Sequence, residues 1–310
     1  MSLGIGTESI DLVKALAGIT ASDSIDAIIL REIRLPRTLI AVVAGASLGL
    51  CGAAMQGLLR NPLASPGLIG SASGAALGAV TVLYFGAAAF HPQAVPLAGM
   101  TGALLATLLV YVLAGRDANV TTLILSGVAI NALATAGISL LLNFAPSPFA
   151  IRELVLWTLG DLSDRSMQDF YMMLPCSLLG WFMLVGIGRQ LDALTLGERT
   201  ASSLGVRPSL LRWRIFIAVS LAVGASVATT GMIGFIGLVV PHLLRPLVGF
   251  EPRRLLFVSA LGGSAMLLAA DIGVRVLPTP AILKVGVLTS LVGAPFFLYL
   301  ILQSRRHGYR

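Results

Sequence analysis

Charge is what this sequence has least of. Of its 310 residues, 11% are charged and 56% are hydrophobic, whereas soluble domains carry about 25% charged residues. A water-soluble chain of this composition could not cover its own surface, so a soluble enzyme is excluded. Aromatic residues are also few, at 6%. The apolar content is Leu, Ala, Val, Ile and Gly, a mixture that suits helices packed closely in lipid. There are only two cysteines, Cys51 and Cys176. Both sit in apolar runs without metal-ligand spacing, so neither a disulfide framework nor a metal site is expected. The three histidines, His91, His242 and His307, lie in separate segments, and no His/Asp/Glu cluster marks a catalytic centre at membrane depth. No Gly-x-x-x-x-Gly-Lys-Ser/Thr loop is present, so nucleotide binding of the P-loop kind is not expected. The first 35 residues are polar with scattered charges, which is not a cleavable signal peptide. The net charge of +7 is spread over short stretches between apolar runs, where it reports membrane topology and not nucleic-acid binding.

What the sequence does have is apolar runs of membrane-spanning length. A helix needs about 20 apolar residues to cross a bilayer, fewer if protein surrounds it. Nine candidates follow in order: Thr38–Leu59, Pro66–Gly86, Ala94–Ala114, Val120–Asn143, Phe170–Gly188, Trp213–Thr230, Phe235–Gly249, Leu255–Val276 and Leu283–Leu302. The expected fold is therefore all-α, a polytopic bundle of nine transmembrane helices forming one domain over residues 1–310. The seventh candidate is short and carries Pro241 and His242 behind Gly231, Gly234 and Gly237. Such a segment is tolerated only inside protein or beside a water-filled cavity. Placing the Arg60-Asn61-Pro62 connection inside puts 13 of the 21 Lys and Arg residues inside, Arg116, Arg305, Arg306 and Arg310 among them, and leaves 8 outside, Lys14 among them. Four acidic residues, including Asp117, fall inside and ten outside. The positive-inside rule favours this orientation. It makes residues 1–37 an external segment and the C-terminus cytoplasmic.

Small residues recur at four-residue intervals. Gly45 and Gly49 form one ladder, Gly70, Gly74 and Gly78 another, with Ser71 and Ser73 beside the second. Close helix contact is one reading; a Ser/Gly face lining a pathway is the other. Thr121, Thr122, Ser126, Asn131, Thr135 and Asn143 make a polar stripe on the fourth span, which suits a bundle interior or cavity. Asp271 and Arg275, four apart near the outer end of the eighth span, can pair on one helix face. Charges at mid-membrane are otherwise scarce, which counts against a proton- or sodium-driven transporter.

The longest inside connection, residues 189–214, reads as a helix, a Gly-bounded turn and a second short helix. Within it Glu198, Ala201 and Leu204-Gly205 are spaced Glu-x-x-Ala-x-x-Leu-Gly. An amphipathic loop helix ending at a glycine cap accounts for this pattern; so does a docking loop for a partner. Other blocks accompany it. They are Arg34-Leu-Pro-Arg37 before Thr38; Gln56-Gly-Leu-Leu-Arg-Asn61-Pro62-Leu63-Ala64-Ser65-Pro66-Gly67-Leu68-Ile69-Gly70; Trp157-Thr-Leu-Gly160; Gly234-Phe-Ile-Gly237-Leu-Val-Val-Pro241-His242 with Arg245; and Gly293-Ala-Pro295-Phe-Phe. In this order they resemble the FecCD-type permeases of ATP-binding-cassette (ABC) importers, over almost the whole chain. Two departures stand out. Members usually have ten helices, and the first has no counterpart here. Members often carry Glu-Leu-Pro where this chain has Ile282-Leu283-Lys284.

The resemblance implies a permease subunit that moves haem, a ferric siderophore or cobalamin across a bacterial inner membrane, with an iron complex favoured. It implies a homodimer with the path on the dimer axis. Two ATP-binding ABC subunits would bind on the cytoplasmic side and a periplasmic substrate-binding protein outside. Neither bond chemistry nor a cofactor belongs to this chain on that reading. Glu198, Ala201, Leu204 and Gly205 match the ATPase-coupling motif. Arg34, Arg37 and Arg275 match arginines that pair with carboxylates of the binding protein, a task suited to a bidentate, permanently charged group; headgroup snorkelling is the plainer account. Thr121, Thr122 and Ser73 match gate positions, and Asn131 lies on the same polar stripe. His242 is read as structural and not as a haem ligand. The alternative function is an ATP-independent secondary transporter or channel, and the Glu198–Gly205 loop discriminates the two.

Overall fold

The computed structural model describes residues 2–4, 24–87, 90–91, 93–115, 120–277 and 283–307, with backbone alone at 120, 300–301 and 303–307. Most of the segment 1–37, expected to be external, therefore lies outside the described residues, as do Lys14, Arg116, Asp117, Ile282 and Arg310 and the side chains of Arg305, Arg306 and His307. The described residues form helices and turns without a strand. We number the helices α1 (Leu35–Leu59), α2 (Ser71–Tyr84), α3 (Ala94–Ala114), α4 (Val120–Asn143), α5 (Pro148–Thr158), α6 (Met167–Leu184), α7 (Gly188–Thr195), α8 (Glu198–Ser203), α9 (Pro208–Thr230), α10 (Ile236–Leu244), α11 (Pro252–Val276) and α12 (Val285–His307).

Each of the nine apolar runs is helical, but they are not nine equal spans. Among the described residues five helices are long and apolar enough to cross a membrane: α1 with its lead-in, α3, α4, α9 and α11. α6 passes the same test only if it is taken together with α7, from which it is bent by 49° at Val185–Ile187. α2 and the Val285–Tyr299 part of α12 are shorter apolar helices. α10, the Pro- and Gly-marked run, has nine residues and is about 13 Å long, under half the hydrocarbon thickness.

Two boundaries differ from the sequence reading. The first helix begins at Ile25 and not at Thr38, running unbroken to Leu59. Pro36 has no N–H to give, and the wider π-helical turn Ile29–Arg34 precedes it, so the ladder passes the gap without ending. α5 forms where the sequence suggested a loop. Ser147 caps it, accepting from the Ala150 amide at 3.2 Å, and Pro148 occupies its first position.

The two halves of the chain interlock: α1 is seated against α10 and α11, and α9 against α6, α3 and α2. α1 and α9 are the most buried spans, and the core lies where they meet. The glycine ladders serve close helix contact. A Cβ on Gly45 would strike the backbone of Gly263, and one on Gly49 the Ser259 carbonyl. Gly74 and Gly78 are pressed in the same way against Gly102 and Ala98. Dispersion between such backbones is what holds membrane helices together in the absence of a hydrophobic drive. Polar groups then gather at two ends of the bundle, an Arg275 end and a Glu198 end.

Candidate functional site

At the Arg275 end, one carboxylate holds two guanidinium groups. Asp271 on α11 is fully buried. Its Oδ1 accepts from Arg37 Nε at 2.7 Å, and its Oδ2 accepts from Arg275. The Arg37 and Arg275 side chains are only 13% and 9% exposed. Arg275 also donates to Ser2 Oγ at 2.7 Å and to the Ser2 carbonyl at 3.0 Å. Arg34, buried on the turn before α1, donates to the Leu3 carbonyl at 2.9 Å. The three arginines singled out from sequence thus share one buried cluster. Asp271 is its organising anion, since a lone buried charge would be costly and two guanidiniums would repel.

Arg37 also donates to Ser163 Oγ at 3.3 Å, and the Ser163 amide donates to Asp161 Oδ1 at 3.0 Å. Asp161 pairs with Lys284. Burial raises the Asp161 carboxyl, but the Lys284 ammonium and the Ser163 bonds outweigh it and hold the carboxyl below its ordinary value. Just below this pair lies a cavity of about 660 Å³ lined by Thr158 and Leu159, by Met232 and Gly234, and by Gly286, Val287, Ser290, Leu291, Ala294 and Pro295 of α12. That volume falls within the range of small-molecule sites. Its wall is apolar except for the hydroxyls of Thr158 and Ser290. A second, larger groove of about 780 Å³ runs between α1, α6 and α11 along Val42, Ala46, Trp181, Phe257 and Ser264. On that wall Trp181 donates to Ser47 and Ser264 to the Val42 carbonyl, while Arg189 and Arg253, which also line it, are exposed.

The gate positions fall in two places. Ser73 Oγ meets Asn131 Oδ1, and Asn131 Nδ2 donates to the Gly67 carbonyl at 2.9 Å. Asn131 therefore ties α4 to the Pro66–Ile69 turn and to the start of α2. Thr121 and Thr122 stand at the first turn of α4, about 13 Å along the helix from Asn131. Gln56 makes a comparable tie from α1, donating to the Leu238 carbonyl at 3.1 Å and accepting from Arg245 at 2.5 Å.

At the Glu198 end, α7 packs against α1 and α11, and α8 against α7 and α9. Leu191, Leu194 and Ala201 are buried beneath them. Gly205 has φ 87°, its amide bonds to the Ser202 carbonyl, and the Val206 amide bonds to the Ala201 carbonyl. This is the glycine-closed helix end that the spacing suggested. Leu204 is 63% exposed, and Leu196 and Leu210 on either side of it in sequence are exposed as well. Glu198 Oε1 accepts from Arg212 at 3.1 Å and is half exposed. The platform is fastened from behind. Asp192 accepts from the Arg253 amide at the start of α11, and Arg214 donates to the Met183 and Val185 carbonyls at the end of α6, groups that the helix leaves unpaired.

The sequence reading missed the cavity wall. Its signal was available, because Gly286, Ser290 and Ala294 recur every four residues like the ladders already noted. The model of the FecCD transport family matches residues 1–303. The chain is 41% identical over 285 residues to the hemin transport system permease protein HmuU of Yersinia pestis, covering 88% of this chain and 83% of that protein. It is 40% identical over 292 residues to the vitamin B12 import system permease protein BtuC of Vibrio cholerae, covering 93% and 87%. Among solved structures, an inward-facing ABC transporter assigned to the metal-chelate type superposes with a TM-score of 0.87 at 31% identity, over 97% of this chain and 94% of that one.

Proposed function

This chain belongs to the FecCD transport family, and on that premise we propose that it moves an iron complex, haem or a ferric siderophore, or else cobalamin, inward across a bacterial inner membrane as one half of a homodimeric path. It is a multi-pass membrane protein and a transport permease subunit of the ABC type. In this reading the Glu198 end faces the cytoplasm, the C-terminus lies on the same side, and residues 1–37 lie outside. Two ATP-binding subunits dock at Glu198, Ala201, Leu204 and Gly205. A periplasmic substrate-binding protein docks at Arg34, Arg37 and Arg275. The cavity along α12 is this subunit's share of the path, and Ser73, Asn131, Thr121 and Thr122 govern its cytoplasmic closure. ATP binding by the partner moves the platform, and the helices exchange outward- and inward-open arrangements.

The observation that carries this reading is the α7–α8 platform. It exposes Leu196 and Leu204 together with a charged Glu198–Arg212 pair, the composition of an unoccupied interface, and Asp192 fastens it to the span α11. A transporter without an ATPase has no use for such a surface. The test is uptake into vesicles holding the permease with its ATPase, measured for haem, a ferric siderophore and cobalamin in turn. ATP-dependent accumulation of one of the three is expected. Accumulation that proceeds without ATP would establish the secondary-transporter reading instead.

A further inference from the structure

Lys284 sits in an unfavourable place. It precedes α12, whose first-turn amides give that end a partial positive charge, so a cation there is disfavoured by the helix itself. What holds it is Asp161, far away in sequence, and the two side chains are only 19% and 11% exposed. Neither lines the 660 Å³ cavity itself, but both neighbour residues that do. Leu159, two residues before Asp161, and Gly286, two residues after Lys284, are in its wall. The backbone is fastened at the same place. The Gly286 amide donates to the Gly160 carbonyl at 3.0 Å, and the Asp161 amide to the Thr230 carbonyl at 2.7 Å. Gly160 and Gly286 allow this approach, since a Cβ on Gly286 would strike the Leu159 carbonyl. Ser163 joins Asp161 to Arg37.

We propose that the Asp161–Lys284 pair is a strap across the mouth of the cavity, holding the first turn of α12 against the Leu159–Ser163 loop and limiting access from the Arg275 end. Its link through Ser163 places it under the influence of whatever engages Arg37. Asp161 and Lys284 are positioning residues, and neither needs to touch the transported molecule. The inference rests on reading the cavity as part of the path, but its test needs neither nucleotide nor substrate.

The test is the labelling rate of Ser290→Cys, in a background carrying Cys51→Ala and Cys176→Ala, by a water-soluble maleimide in permeabilised membranes. Asp161→Asn and Lys284→Gln are each expected to speed labelling roughly fivefold, the population shift from losing a pair worth about 1 kcal/mol. Lys284→Arg is expected to keep the slow rate. The charge-exchanged Asp161→Lys/Lys284→Asp chain is expected to return toward it, which loss of packing alone would not produce. Should the Asp161 variants fail to fold, the contrast of Lys284→Gln with Lys284→Arg decides. Unchanged labelling in Lys284→Gln, or a charge exchange as fast as the single variants, would overturn the strap. Because labelling is read without ATP, absence of ATP-driven uptake would count against the transport reading and leave this result standing.

Discussion

The two polar ends of the bundle use the same kinds of side chain in opposite ways. At the Arg275 end, apart from the exposed Arg31–Glu32 pair, the paired charges are buried, with Arg37 and Arg275 gripping a fully buried Asp271 and Lys284 gripping Asp161. At the Glu198 end the Glu198–Arg212 and Glu251–Arg254 pairs are open to solvent, and Leu196, Leu204 and Leu210 are exposed as well. Burial decides what each pair contributes to the fold. A buried pair is costly to break and so fixes geometry. An exposed pair contributes little to folding and remains available to a partner.

Substitutions should separate the ends accordingly. The largest effect belongs to Asp271→Asn, which strands two guanidiniums in a buried place. It should destabilise the purified protein by about 3–5 kcal/mol, read as a lowered unfolding midpoint in detergent. A midpoint within error of the parent would show that the cluster is not the anchor described. Arg37→Ala leaves Arg275 on Asp271, so less stability is lost. Its main effect should be on docking of the binding protein, about tenfold weaker by surface-immobilised titration, as expected for one charged hydrogen-bonding group. Unchanged affinity would remove Arg37 from the docking face. Glu198→Gln at the other end should cost under about 1 kcal/mol of stability. The smallest effect concerns pH. Asp161 lies below its ordinary value of 3.8, so its contribution is full above that value and is lost only as pH falls through the lower folded-state value. The stability difference between parent and Asp161→Asn should be constant from about pH 8 to about pH 5 and close only below about pH 4. A difference that fades near neutrality would mean the pair is not formed.

The same contrast explains what the sequence made legible. Helix positions were readable because apolar runs of spanning length have few other fates, and α3 and α4 begin and end at the expected residues. The Glu198 platform was readable because its spacing is local and a glycine closes it. The Arg275 end was readable only in pieces. Arg34, Arg37, Arg275 and the Asp271–Arg275 spacing were all visible, but the bond from Arg37 to Asp271 joins residues 234 apart, and no period reports such a contact. Asp161 and Lys284 were invisible as a pair for the same reason. The early start of the first helix was hidden because Pro36 reads as a beginning, while the structure passes it through a π-helical turn.

The central claim is that energy enters at the Glu198 end. The measurement that tests it most directly is ATP-driven uptake by vesicles holding the Glu198→Gln chain with its ATP-binding partner, alongside its unfolding midpoint. The account predicts a midpoint near the parent's and uptake reduced to the level seen without ATP. Uptake at the parent's rate, with the fold equally intact, would contradict it.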